Sequence, residues 1–172
     1  MMSASPARAR SLLCGVFVLL GACDPKAGAG DEDGGSGDAG SSTGEPVSGC
    51  AAEDRDDDYA LGLARDGSKL RVRFVDALPA PPSRGDNTWT LAVEDLATGM
   101  PVDDAQLAVE PYMPDHMHGT SIACHVTDMD PPGEVMLEPV NLFMPVLWEV
   151  RLHFTLADAS TDTVVFKFCV DP

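Results

Sequence analysis

Basic residues are scarce in this chain: 11 Lys and Arg stand against 28 Asp and Glu, a formal net charge of −17 at pH 7. Such a surface opposes nucleic-acid phosphates and anionic lipid while drawing cations toward itself, so no nucleic-acid partner is expected. Long apolar runs are lacking as well. The run from Leu12 to Leu20 is too short to cross a bilayer as a permanent helix, which takes about 20 residues. From Asp24 to Gly49 bulky apolar side chains are almost absent, and Gly, Ala, Ser and Asp dominate. That stretch cannot bury enough surface to offset its chain entropy. Catalytic signatures are missing too: there is no G-x-S-x-G elbow, no H-E-x-x-H helix and no phosphate-cradling glycine loop. Cys124-His125 does not make a nucleophile pair, because neighbours on a strand point to opposite faces. No enzyme is expected.

At the N-terminus, Arg8 and Arg10 precede the apolar run, and Leu20-Gly21-Ala22-Cys23 ends it. A basic start, a short apolar core and small residues at its end read as a secretory signal peptide over residues 1–22. The last four residues resemble the bacterial lipobox, in which cleavage falls directly before a lipid-bearing cysteine. An ordinary secretion signal cleaved elsewhere would leave Cys23 as an unexplained exposed thiol. The resemblance implies lipidation of Cys23 and an extracytoplasmic lipoprotein on a bacterial membrane, held stably because more than one acyl chain is attached. Residues 23–49 then serve as a flexible Gly/Ser/Asp-rich tether, whose reach grows as roughly the square root of its length. Residues 50–172 are left as a folded domain of ordinary size.

Within that domain helical periodicity is hard to find, and period-two alternation recurs between turn residues. Leu70, Val72 and Phe74 alternate with Arg71 and Arg73; Trp89, Leu91 and Val93 alternate with Thr90, Ala92 and Glu94. Trp148, Val150, Leu152 and Phe154, followed by Val164, Phe166, Phe168 and Val170, read as a closing hairpin. Leu107-Ala108-Val109 and Val135-Met136-Leu137 lie between. Breakers fall at Pro79-Ala80-Pro81-Pro82, Thr98-Gly99, Pro131-Pro132-Gly133 and Asp158-Ala159-Ser160. The pattern predicts an all-β, immunoglobulin-like antiparallel β-sandwich of about seven strands, with a small barrel as the alternative. Trp89 and Trp148 are expected as core anchors, and His153 as a surface residue. The acidic runs Asp31-Glu32-Asp33 and Glu53 to Asp58 read as solvated tether and loop.

Of five cysteines, Cys14 leaves with the signal and Cys23 takes the lipid. Cys50, Cys124 and Cys169 remain in an oxidising compartment, where three thiols cannot all pair within one chain. Cys50 and Cys169 bracket the domain and are the expected disulfide, worth a few kcal/mol in the chain-entropy account. Cys124 is expected as a small buried or half-buried hydrophobe rather than a ligand.

The unusual stretch is Pro111-Tyr112-Met113-Pro114-Asp115-His116-Met117-His118-Gly119-Thr120. Its imidazoles and thioethers suit copper, Cu(I) above all, better than calcium or magnesium. Zinc would accept the histidines but has little use for the methionines. In an extended segment His116 and His118 point to one side, and Pro114 and Gly119 would bend the chain so that Met113 approaches them. Met144, Cys124 or His125 would supply a further ligand. The alternative is a loop that packs against the sandwich end and binds nothing.

Three pieces in order, Asn87-Thr88-Trp89, Met113 to Gly119, and Met144-Pro145 followed by Trp148-Glu149-Val150, resemble the YtkA-like domain family. The most specific piece is Met113 to Gly119. The resemblance implies an extracytoplasmic β-sandwich related by pattern to modules found around copper handling and respiratory oxidase assembly. It implies Met113, His116 and His118 as metal ligands, with Met144 as an addition. Val146 stands where the family's Met-Pro-Gly turn carries glycine, and Met117 fills a variable place. Two roles are expected to compete: capture or delivery of copper to an acceptor, and a non-catalytic envelope domain that docks another protein and holds no metal.

Overall fold

Each stretch of period-two alternation forms a strand whose apolar side chains face inward. The computed structural model describes residues 49–172, so the expected signal peptide, the expected lipid site at Cys23 and the expected tether up to residue 48 lie outside the described residues. A 3-10 turn at Gly49–Ala52 precedes nine strands. They are β1 (Ala64–Asp66), β2 (Leu70–Leu78), β3 (Gly85–Asp95), β4 (Gln106–Met113), β5 (His118–Gly119), β6 (His125–Asp128), β7 (Glu134–Leu142), β8 (Leu147–Thr155) and β9 (Thr161–Cys169). All strand pairs are antiparallel.

The strands form two sheets, ordered β1-β2-β3-β7-β6 and β5-β4-β8-β9. With the short edge pieces β1 and β5 set aside, β2-β3-β7-β6 and β4-β8-β9 follow the A-B-E-D and C-F-G orders of an immunoglobulin-like sandwich. Six of the seven longer strands are those the alternation predicts; β6, four residues with no buried side chain, shows no such pattern. β1 and β5 escape it because three and two residues are too short to show a period.

Leu70, Val72, Phe74, Trp89, Leu91 and Val93 bury against Trp148, Val150, Leu152, Phe154, Val164, Phe166 and Phe168 in one core. Each such side chain contributes about 1.5–3 kcal/mol by leaving water. Phe74 makes edge-on contacts with Trp89 at 5.0 Å and Phe166 at 4.9 Å between ring centroids. Both tryptophans are core anchors, as expected. Trp148 also donates its indole N–H to the Met144 carbonyl at 2.9 Å, closing the turn between β7 and β8. Val146 is accommodated there because its φ is not positive; among the described residues only Met117 and Ala159 combine a side chain with positive φ.

Cys50 and Cys169 form the expected disulfide, with Cα atoms 5.3 Å apart. It starts a strap that runs beside β9: the Asp57 amide donates to the Lys167 carbonyl at 2.7 Å, and the Lys167 amide donates back to the Asp57 carboxylate at 2.9 Å. Arg65 pairs with the same carboxylate. Part of the acidic run after Cys50 is therefore built into the fold, where its sequence reads as solvated loop.

Candidate metal centre at the histidine hairpin

β4 carries its inward face to the last residue, Met113, and the chain then reverses over Pro114–Met117 to enter β5. The Met113 carbonyl accepts from the amides of His116 at 3.2 Å and Met117 at 2.9 Å, which closes a four-residue hairpin loop. Met117 takes φ 57°, the left-handed conformation that ends such a loop. β5 then pairs as Met113↔His118 and Tyr112↔Gly119. Gly119 is needed at that position because a Cβ there would collide with the backbone carbonyl of Pro111, which has no flexible end to move aside.

The hairpin brings two imidazoles together. The rings of His116 and His118 lie 5.9 Å apart between centroids with their planes tilted by 43°, and both residues are exposed. An ion held about 2 Å from one nitrogen of each ring would space the centroids by roughly 5–6 Å, so the pair suits one metal. His118 Nδ1 lies 3.2 Å from the Gly119 carbonyl. A carbonyl only accepts, so Nδ1 is the donor of this contact and Nε2 is the nitrogen left to face a metal, the arrangement found in metal-binding histidines.

The strap braces this tip from outside. Arg55 donates to both carboxylate oxygens of Asp115, at 2.9 and 2.7 Å, and to Glu53 at 2.7 Å. These bonds hold the Asp115 carboxyl below the usual carboxylate range and draw Glu53 down to about 2, the hydrogen bond from Arg55 leading in both cases. The loop end of β4 is fixed by the Arg151 guanidinium, 3.9 Å from the Tyr112 ring centroid. On the far side, Thr120 donates to Asn141 at 3.0 Å and Asn141 donates to Asp86 at 2.6 Å, which joins the exit of β5 to the end of β7.

Not every residue expected at the site gathers there. Met113 is 0 % exposed and belongs to the core, although it stands opposite His118. The bend therefore does not bring its thioether out to the rings, because the alternation of β4 sends Met113 inward with Val109 and Pro111. The histidines also meet by a turn rather than by an extended segment. Met144 is half-buried against the core in the turn after β7. Cys124 and His125 sit at β6, an edge of the other sheet. Burial pushes the Cys124 thiol up to about 11, which keeps it protonated and matches its expected place as a half-buried hydrophobe. His153 is a surface residue, with Nε2 3.1 Å from Glu110. Among the described residues no three His, Cys, Asp or Glu side chains converge to hold one ion. The donors on offer at the tip, two imidazoles with the exposed Met117 between them in the chain, would fit a soft monovalent ion that accepts few ligands. Sequence reading missed Arg55; the signal for it is one arginine inside an otherwise acidic run.

Fold and hairpin together define an immunoglobulin-like β-sandwich domain that displays a histidine–methionine turn at one sheet edge. The chain belongs to the YtkA-like family, whose family model matches residues 67–153, from the loop before β2 into β8. No curated protein matches the chain. No solved structure matches it either.

Proposed function

We propose that this chain is an extracytoplasmic lipoprotein, anchored through lipid on Cys23, whose YtkA-like domain binds Cu(I) at the β4–β5 hairpin for capture or delivery to an acceptor. The observation that carries this reading is the exposed pair His116 and His118, 5.9 Å apart, with one ring nitrogen of His118 tied to a carbonyl. Copper here is cargo. A two-imidazole site open to solvent leaves a face free for an acceptor's own ligands, and the net charge of −17 raises the local concentration of cations. The lipobox-like Leu20-Gly21-Ala22-Cys23 supports anchorage. Met144, the further ligand that the family resemblance implies, is half-buried in the turn after β7.

The test is a Cu(I) titration of the full chain against a competing chelator, beside the His116→Ala/His118→Ala double variant. One equivalent bound by the native chain and lost in the variant is the expected result. A variant that keeps its copper, or a native chain that binds none, overturns the assignment. A second reading rests on Ile122 and Phe143, 46 % and 39 % exposed, which line one shallow surface with Thr120 and Asn141. There the domain docks an envelope protein without metal, and a partner retained after chelation by a chain that binds no Cu(I) would favour it.

A further inference from the structure

The two histidines leave a soft ion short of a third donor, and the methionine expected to supply it is in the core. Met113 is 0 % exposed, packed with the apolar residues that hold the sheets together, and to free its sulfur would open a cavity. Met117 is the opposite case. It sits between the two histidines in sequence at the apex of the turn and is 80 % exposed, the most exposed large apolar side chain among the described residues. It also holds φ 57°, a backbone state that costs a residue with a side chain about 1 kcal/mol and that glycine or asparagine would fill more cheaply. Strain alone does not mark a site: Ala159 shows a similar φ of 62° in the β8–β9 turn. What sets Met117 apart is a large, exposed thioether next in the chain to two imidazoles, where among the described residues no three His, Cys, Asp or Glu converge on one ion.

We infer that the thioether of Met117, not that of Met113, completes the metal site, giving a turn-borne His116–Met117–His118 donor set for Cu(I). The inference rests on the reading of the hairpin as a copper site. Rotation about its Cα–Cβ and Cβ–Cγ bonds lets the Met117 sulfur swing toward the ring nitrogens without disturbing the fold, and a thioether prefers Cu(I) to zinc. All three donors come from consecutive residues of one turn. Met113 and Gly119 then act as the frame of that turn, one as its core anchor and the other as the residue that lets β5 approach Pro111.

The experiment labels the methionine methyl groups of the full chain with carbon-13 and titrates Cu(I) under chelator competition, with Met117→Leu and Met113→Leu assigning the signals. The Met117 methyl resonance should move over the first equivalent while that of Met113 stays. Met117→Leu should weaken Cu(I) binding by about tenfold or more, as loss of a metal-site partner does, and Met113→Leu should not. Unchanged affinity in Met117→Leu, or a shift of the Met113 methyl, overturns the inference while leaving the histidine site standing. If the native chain binds no Cu(I), or if the His116→Ala/His118→Ala variant binds it undiminished, both readings fall together. Met117 is 80 % exposed, so Met117→Leu tests binding rather than folding.

Discussion

The β8–β9 hairpin pairs without interruption from Leu147↔Cys169 to Thr155↔Thr161, whereas the β4–β5 hairpin pairs only at Tyr112↔Gly119 and Met113↔His118. Both turns use a non-glycine residue in the left-handed region, Ala159 in one and Met117 in the other. The first hairpin carries Trp148, Val150, Leu152, Phe154, Val164, Phe166 and Phe168 into the core, so packing holds it. The second puts one core side chain, Met113, at its base and is braced from outside by Arg55 on Asp115. One turn is a consequence of the fold; the other is an attachment to it. An attached turn can exchange ligands at its apex without disturbing the sheets, because little of its free energy is shared with them.

The largest break in this comparison comes from the packed hairpin. Phe166→Ala removes a fully buried ring that contacts Phe74 at 4.9 Å, and should cost about 3–5 kcal/mol in a urea melt. The copper affinity of whatever folds should stay close to native. A cost under about 1 kcal/mol would mean that the closing hairpin is not the part that holds the sandwich.

Next comes Asp162, the second residue of β9. Its carboxylate is buried beside Gly67 and accepts from the amides of Ser68, Lys69 and Leu70 at 2.9, 2.8 and 2.9 Å and from the Ser68 hydroxyl at 2.8 Å. Burial pushes its pKa up, but those bonds together outweigh burial and hold it at about 2. The folded value lies below the unfolded one, so its stabilisation is complete above the ordinary carboxylate range and is lost as pH falls from about 5 toward 2. It amounts to about 2 kcal/mol. Asp162→Asn should lower stability at pH 7 and flatten the acid limb of a stability–pH curve. An acid limb as steep as the native one would remove Asp162 from the account.

How far each hairpin was legible in the sequence follows the same division. Period two is a signal of burial, so the strands that alternate, including the closing hairpin and both tryptophan anchors, stand out from residue type alone. The Cys50–Cys169 bridge was legible because the two cysteines bracket the apolar pattern. The histidine turn was legible as chemistry but not as geometry. His116 and His118 suggest the proposed soft-metal site by residue type, yet the inward direction of Met113 depends on carrying the register of β4 through to its end, past Pro111. Arg55 was hidden because its partner Asp115 is 60 residues away and only the strap beside β9 brings them together. Its own sequence context, acidic on both sides, says loop. Nothing in the spacing of the cysteine and histidine at 124 and 125 shows that β6 lies in the other sheet.

Smaller effects probe the attached turn. Gly119→Ala drives a methyl into the Pro111 carbonyl, so β5 must leave β4 or tilt. The expected cost in global stability is about 1 kcal/mol, since only two residue pairs are involved. The separation of the imidazoles should change far more. Amide exchange at His118 should speed up and Cu(I) affinity should fall, while amides in β8 and β9 keep their protection. Uniform loss of protection across both sheets would show that the hairpin is not a separate element.

The sharpest comparison exchanges the two left-handed residues. Ala159→Gly and Met117→Gly each relieve about 1 kcal/mol of backbone strain and each gives back roughly 0.5–1 kcal/mol through the freedom that glycine gains in the unfolded chain. The net change at either site is therefore a few tenths of a kcal/mol, but it should be read out in different places. The β8–β9 turn unfolds with the sandwich, so the Ala159→Gly change appears in the global melt. The β4–β5 turn opens before the sandwich does, so the Met117→Gly change appears in local exchange at His118 and Gly119 and leaves the melt where it was. Equal shifts of the melting transition in both variants would mean that the histidine turn belongs to the same cooperative unit as the core, and that a metal bound at its apex stabilises the whole domain directly.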